Sequence, residues 1–112
     1  WEQAPDADFN SLWFEAISHC VNKNVGGAVG WRLPSVVELK SVQDPSLSAP
    51  FVPASVFTGV LSEGYWSATT VGLDPTSSWF VGFAVIRQVG GGGRSGPFHA
   101  WCVRGPMNAD AY

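Results

Sequence analysis

The stretch Gly30-Trp31-Arg32-Leu33-Pro34-Ser35-Val36-Val37-Glu38-Leu39 decides the first corner of the fold. Ser35 and Glu38 have the S-x-x-E spacing of a capping box, in which each side chain satisfies an orphan backbone N–H of the other, so a short helix is predicted over about Val36–Val42. Pro34 pushes the residue before it into extended backbone. Trp31-Arg32-Leu33 therefore enters the corner as a short strand or coil. Arg32, between two large apolar residues, is expected to hold a carboxylate or backbone carbonyls rather than a ligand.

Upstream, Trp13, Ala16, Ile17, Cys20 and Val21 recur at helical spacing and predict an amphipathic helix. Asn10 or Ser11 is placed to cap its first N–H groups. Asp8 and Glu15 near its start and Lys23 near its end suit the helix dipole, and Asn24 with Gly26-Gly27 ends it. Cys20 falls in the last turn, facing the core.

Downstream, Gln43 to Gly64 is rich in Pro, Ser and Val, and Pro45, Pro50 and Pro53 exclude a central strand. This segment is expected to wrap the surface, anchored by Phe51, Val56 and Phe57. The C-terminal half reads as strands. Tyr65–Thr70 and Trp79–Ile86 are β-rich and flank a turn over Leu73–Ser77, and His99–Arg104 forms a third strand closed by Gly105-Pro106. Gly90–Gly93 lacks the spacing of a phosphate loop and reads as a flexible hairpin tip carrying Arg94. Hairpin pairing then gives a small antiparallel sheet with two helices against it, an α+β architecture.

The 112 residues suit one domain, expected over 1–105 with a tail at 106–112. The chain opens at Trp1 without an initiator Met, as a mature or excised piece would. Charged residues are 13% of the chain and hydrophobic ones 46%, the reverse of a disordered composition. A net charge of −3 gives no basic footprint for nucleic acid, and no apolar run is long enough for membrane insertion. The only two cysteines, Cys20 and Cys102, allow one disulfide. Low charge, many turns and six Trp favour that bridge, and an oxidising compartment, over two buried thiols.

Taken in order, Trp13-x-x-Ala16 with Cys20, Gly-Trp-Arg-Leu-Pro-Ser with Glu38-Leu39, Phe57, Tyr65-Trp66-Ser67 and Cys102-Val103-Arg104-Gly105 resemble the Lcl C-terminal domain family (DUF1566) from about Trp1 to Gly105. The resemblance implies a C-type-lectin-like fold: two helices packed on a small twisted antiparallel sheet with long loops. It also implies a bridge from the first helix to the last strand, which Cys20 and Cys102 match. Members are typically extracytoplasmic binding or adhesion modules of bacteria and phages. Some lectin-fold proteins carry surfaces diversified by retroelements, which would here fall between Thr70 and Ala100. Calcium-dependent sugar binders of the wider fold carry Glu-Pro-Asn or Gln-Pro-Asp and then Trp-Asn-Asp. Here Gln43-Asp44-Pro45 has another order and Trp-Asn-Asp is missing, so no calcium site is expected.

Other chemistry is sparse. His19 and His99 are the only histidines, and neither pattern assembles a nucleophile, a base and an orienting group. His19, Cys20, His99 and Cys102 could make a four-ligand zinc set only as an alternative to the disulfide. The reactive cysteine pair of formylglycine-generating oxidases, which share the fold, is not evident. No metal or cofactor is therefore expected. Trp13, Trp31, Trp66 and Trp101 sit in periodic or motif positions and are expected in the core, whereas Trp79 beside a Ser/Thr-rich turn is the best stacking platform. From Tyr65 to Gly105 the arginines Arg87, Arg94 and Arg104 outnumber the single acid Asp74.

The function expected is a non-enzymatic module, secreted or on a cell surface, that recognises a protein or glycan ligand through loops and a sheet face. Its expected contact residues are Asp74, Ser78, Trp79, Arg87, Arg94 and His99. The alternative is a structural or assembly domain whose exposed face binds its own copies as an oligomer.

Overall fold

A computed structural model of the chain describes residues 1–5, 10–70, 77–84, 88–93 and 98–105. Along it run β1 (Asn10–Ser11), α1 (Trp13–Val21), β2 (Trp31–Arg32), α2 (Val36–Ser41), β3 (Gly64–Thr70), β4 (Ser77–Gly82), β5 (Gln88–Gly93), β6 (Phe98–His99) and β7 (Val103–Arg104). The fold is α+β. Two helices accompany a five-stranded sheet of order β1-β6-β3-β4-β5 and a two-stranded sheet of β2 and β7. A disulfide joins Cys20 to Cys102, as in C-type-lectin-like folds.

The second helix forms as its capping box dictates. Glu38 N–H donates to Ser35 Oγ (3.2 Å), and Ser35 N–H donates to Glu38 Oε1 (2.8 Å). Arg32 Nη1 and Nη2 both donate to the Glu38 carboxylate at 2.8 Å, and Nε donates to Gly105 O at 2.8 Å. One guanidinium thus ties the entry of α2 to the exit of β7 through a two-pronged pair, a geometry lysine could not reproduce.

The first helix starts differently from expectation. Asn10 and Ser11 do not cap it: they form β1, pairing with His99 and Phe98. The Glu15 side chain instead accepts the Leu12 N–H (3.1 Å). Trp13, Ala16 and Cys20 face inward as their spacing requires, while Val21 is exposed.

Adjacent residues of a strand point to opposite faces, and β3 is covered on both. Trp66 joins Trp13, Ala16, Cys20, Leu33, Ala100 and Cys102 on the α1 side. Tyr65 joins Val36, Leu39, Val52, Val81, Phe83 and Trp101 on the α2 side. Each expected core indole has its N–H satisfied by a distant or neighbouring carbonyl: Trp13 by Ser67 O, Trp66 by Ser11 O, Trp101 by Glu2 O, all at 2.9 Å, and Trp31 by Ala28 O at 3.0 Å. Burying an indole without that partner would leave a polar group unsatisfied.

Further expectations are corrected. First, the sheet is mixed, because β6 lies beside β3 and runs parallel to it (Tyr65 opposite His99). The chain returns to the start of β3 instead of closing a hairpin.

Second, the expected strand His99–Arg104 is divided into β6 and β7. Between them the Cys102 backbone bonds to Glu2 rather than to a strand: Glu2 N–H donates to Cys102 O (3.1 Å), and Cys102 N–H donates to Glu2 Oε1 (2.7 Å).

Third, Gly90–Gly93 is no loop tip but part of β5, in register with β4 from Ser77–Gly93 to Gly82–Gln88. The Phe80 ring lies over Gly90, where a Cβ would come within 2.6 Å of Phe80 Cζ. Phe80 also stacks on Phe98 (4.2 Å between ring centres).

Fourth, Val56 is exposed, and Val52 takes the inward position beside Phe57. Strand β4 ends at Gly82, and Phe83 N–H turns to Glu63 O (3.0 Å). The turn at 71–76, Ile86 and the tail at 106–112 lie outside the described residues.

Candidate functional site

Of the six expected contact residues, Ser78, Trp79 and His99 are described, and Asp74, Arg87 and Arg94 lie outside the described residues. Ser78 is fully buried in β4. His99 is also buried, between Asn10 of β1 and Tyr65 of β3. Its Nε2 lies 2.7 Å from Glu63 Oε2, and Glu63 is largely exposed. His99 is thus built into an interior strand, with its ring also 5.4 Å from that of Tyr65.

Trp79 is half-buried on β4 and packs partly against the α2-side core. Its cross-strand partner is Gly91, which has no side chain to cover the indole. Two residues away, the Ser77–Gly93 pair marks the end of the sheet where the chain leaves β5 toward Arg94 and enters β4 from Asp74. The Gly82–Gln88 pair marks the opposite end, next to Arg87 in sequence, and Gly64 beside Tyr65 and His99 pairs there with Gly82. The strand register therefore groups Trp79 with the exits toward Asp74 and Arg94, and His99 with the approach from Arg87.

The sequence reading missed a strap at the N-terminus. Glu2 is buried, and besides Cys102 N–H its carboxylate accepts Lys23 Nζ at 2.8 Å on Oε2. Trp1 rests against Trp101 in an edge-on contact (5.1 Å). No periodicity announces a single Glu at position 2. The only sequence signal is an acid beside a Trp.

Tyr65 is the buried titratable group with the clearest displacement. Burial pushes its phenol above the ordinary value of 10.0, the Glu63 and Glu2 charges add to that, and the N–H of Leu61 bonded to its oxygen (2.9 Å) works against it. A folded value above the unfolded one means that this contribution is complete below the reference value of 10.0 and is lost as pH rises through the folded value. Absorbance of phenolate should therefore show a late step coincident with alkaline unfolding, and Tyr65→Phe should remove that step.

Among the described residues no group of three His, Cys, Asp or Glu side chains is placed to hold a metal ion. The disulfide uses both sulfurs of the four-ligand alternative.

The family model of the Lcl C-terminal domain matches residues 1–104. The chain belongs to the Lcl C-terminal domain family. No curated protein is matched at a significant level. In this Lcl C-terminal domain the motif residues meet at one corner. Trp31 and Arg32 pair with Arg104 and Val103, Pro34 O accepts Ala68 N–H at 2.8 Å, and Arg32 reaches Gly105 O. Residues that carry the sequence resemblance thus tie β2, α2 and β7 together at this corner. The bridge is the chemistry of an oxidising, extracytoplasmic compartment, and no helix among the described residues is long and apolar enough to cross a membrane.

Proposed function

We propose that this Lcl C-terminal domain is a non-enzymatic ligand-binding or adhesion module, secreted or displayed at a cell surface. It recognises a protein or glycan through the side chains beyond its strand ends and the adjoining sheet face. The observation that carries this reading is the half-buried Trp79 indole, paired across the strands with the glycine Gly91 and two residues from the sheet end leading to Asp74 and Arg94. Trp79 supplies a stacking surface, and Asp74, Arg87 and Arg94 supply charges that orient a partner. Ser78 and His99 are buried and belong to the scaffold. Such a division suits recognition, since contact side chains can change while the buried scaffold stays intact.

The test is binding of the soluble protein to glycan and cell-surface arrays. Saturable binding is expected, with loss of at least about tenfold on Trp79→Ala and on Arg94→Ala. Binding indifferent to both substitutions would remove the reading, and so would turnover on ester, sugar or peptide substrates.

A specific observation favours self-association as a second reading. Among the described residues β5 has a strand on one side only, and its glycines carry no side chains to block a second copy from pairing along the other edge. Mass in solution separates the two. Stable oligomers that bind nothing on the arrays favour assembly, and a binding-competent monomer favours recognition.

A further inference from the structure

A concavity elsewhere in the molecule shares no residue with the surface above. Trp1, Glu2 and Ala4 of the N-terminal strap, Lys23 and Val25 after α1, and Trp31 of β2 line a cleft of about 480 Å³. That volume lies within the range of roughly 300–1,000 Å³ common to small-molecule sites.

Its polar group is an ion pair already balanced within the protein. The Glu2 carboxylate is occupied by Cys102 N–H and by Lys23. The Lys23 ammonium has three N–H donors, and among the described residues Glu2 is its one acceptor. Two donors are left for a ligand, on an ammonium whose charge Glu2 already balances. The walls are indoles with their positions fixed from behind. Trp1 stands against buried Trp101, and the Trp31 N–H is engaged by Ala28 O. Ring carbons and ammonium donors together suit an uncharged molecule with a flat C–H face and several acceptor oxygens.

We propose that this cleft binds one uncharged pyranose unit of a glycan, its ring face against the indoles and its oxygens accepting from Lys23 Nζ. The site goes beyond the function proposed above and is independent of Trp79.

The test is a titration of the 112-residue protein with cellobiose and with N,N′-diacetylchitobiose, read by amide NMR, with sodium glucuronate and phenol as controls. Saturable shifts are expected at Glu2–Ala4, Lys23–Ala28 and Trp31, with Kd in the millimolar range typical of one small unit. Trp1→Ala should weaken binding roughly tenfold. Lys23→Met should abolish it if that variant folds; the wild-type shift map decides the matter if it does not. The proposal is overturned by no saturable shift up to about 50 mM sugar, by tighter binding of glucuronate or phenol, by shifts centred on Trp79, or by undiminished binding in Trp1→Ala.

Discussion

Replacing Cys20 and Cys102 together by alanine should lower the unfolding free energy by up to about 4–5 kcal/mol, the chain-entropy value for a loop of this size. The bridge spans a sequence separation of 82 residues, so without it the unfolded chain regains most of its freedom. The native side adds to the loss. Both half-cystines are fully buried in the α1-side core, where the bridge ties the last turn of α1 to the segment between β6 and β7. A small domain has little stability in reserve, so the double variant should be largely unfolded at physiological temperature. Guanidinium titration with and without reductant measures the effect. Reductant alone should act slowly, since both sulfurs are enclosed. An unfolding midpoint unmoved by complete reduction would contradict the prediction.

Trp101→Ala should be nearly as damaging, by about 3–5 kcal/mol, the range for deleting a large aromatic from a packed core. Its ring is fully buried and lies 5.1 Å from those of both Trp1 and Phe57, and 6.0 Å from those of Tyr65 and Phe83. Its N–H donates to Glu2 O, so truncation also releases the strap that holds the Cys102 backbone. Trp101→Phe keeps most of the ring packing but lacks the donor. Its loss should be smaller, and the difference between the two variants isolates the packing share. Denaturant unfolding of both measures it. Equal losses would mean that the hydrogen bond, rather than the ring, dominates.

What the sequence disclosed and what it concealed divide by range. The α2 capping box was legible because its partners lie three residues apart, and Arg32 was legible as the holder of a carboxylate or carbonyls, though its partner Glu38 came only from the structure. The disulfide was legible because two cysteines allow one pairing. The break between β6 and β7 was concealed, since it depends on hydrogen bonds from Cys102 to Glu2 at the far end of the chain. Gly90–Gly93 looked like a loop because glycine alone signals freedom. Its place in a strand depends on Phe80, whose ring occupies the space a side chain would need.

The candidate site shows the same limit. Ser78 and His99 are polar residues in β-rich segments, which read as the wet side of a strand. His99 is enclosed because a two-residue strand, Asn10–Ser11, closes over its outer side, and so short a strand leaves no periodic signal. Trp79 was distinguishable from the other tryptophans by its neighbours in sequence. That its cross-strand partner is a glycine required the register of β4 and β5.

The central claim is that folding and recognition are carried by different side chains. The most direct measurement is array binding by the triple variant Asp74→Ala/Arg87→Ala/Arg94→Ala, with its unfolding midpoint recorded on the same sample. If these side chains carry no part of the scaffold, each substitution changes stability by no more than about 0.5 kcal/mol, so the account predicts a nearly unchanged midpoint with binding abolished. Full binding by the folded triple variant, or collapse of the fold together with binding, would contradict it.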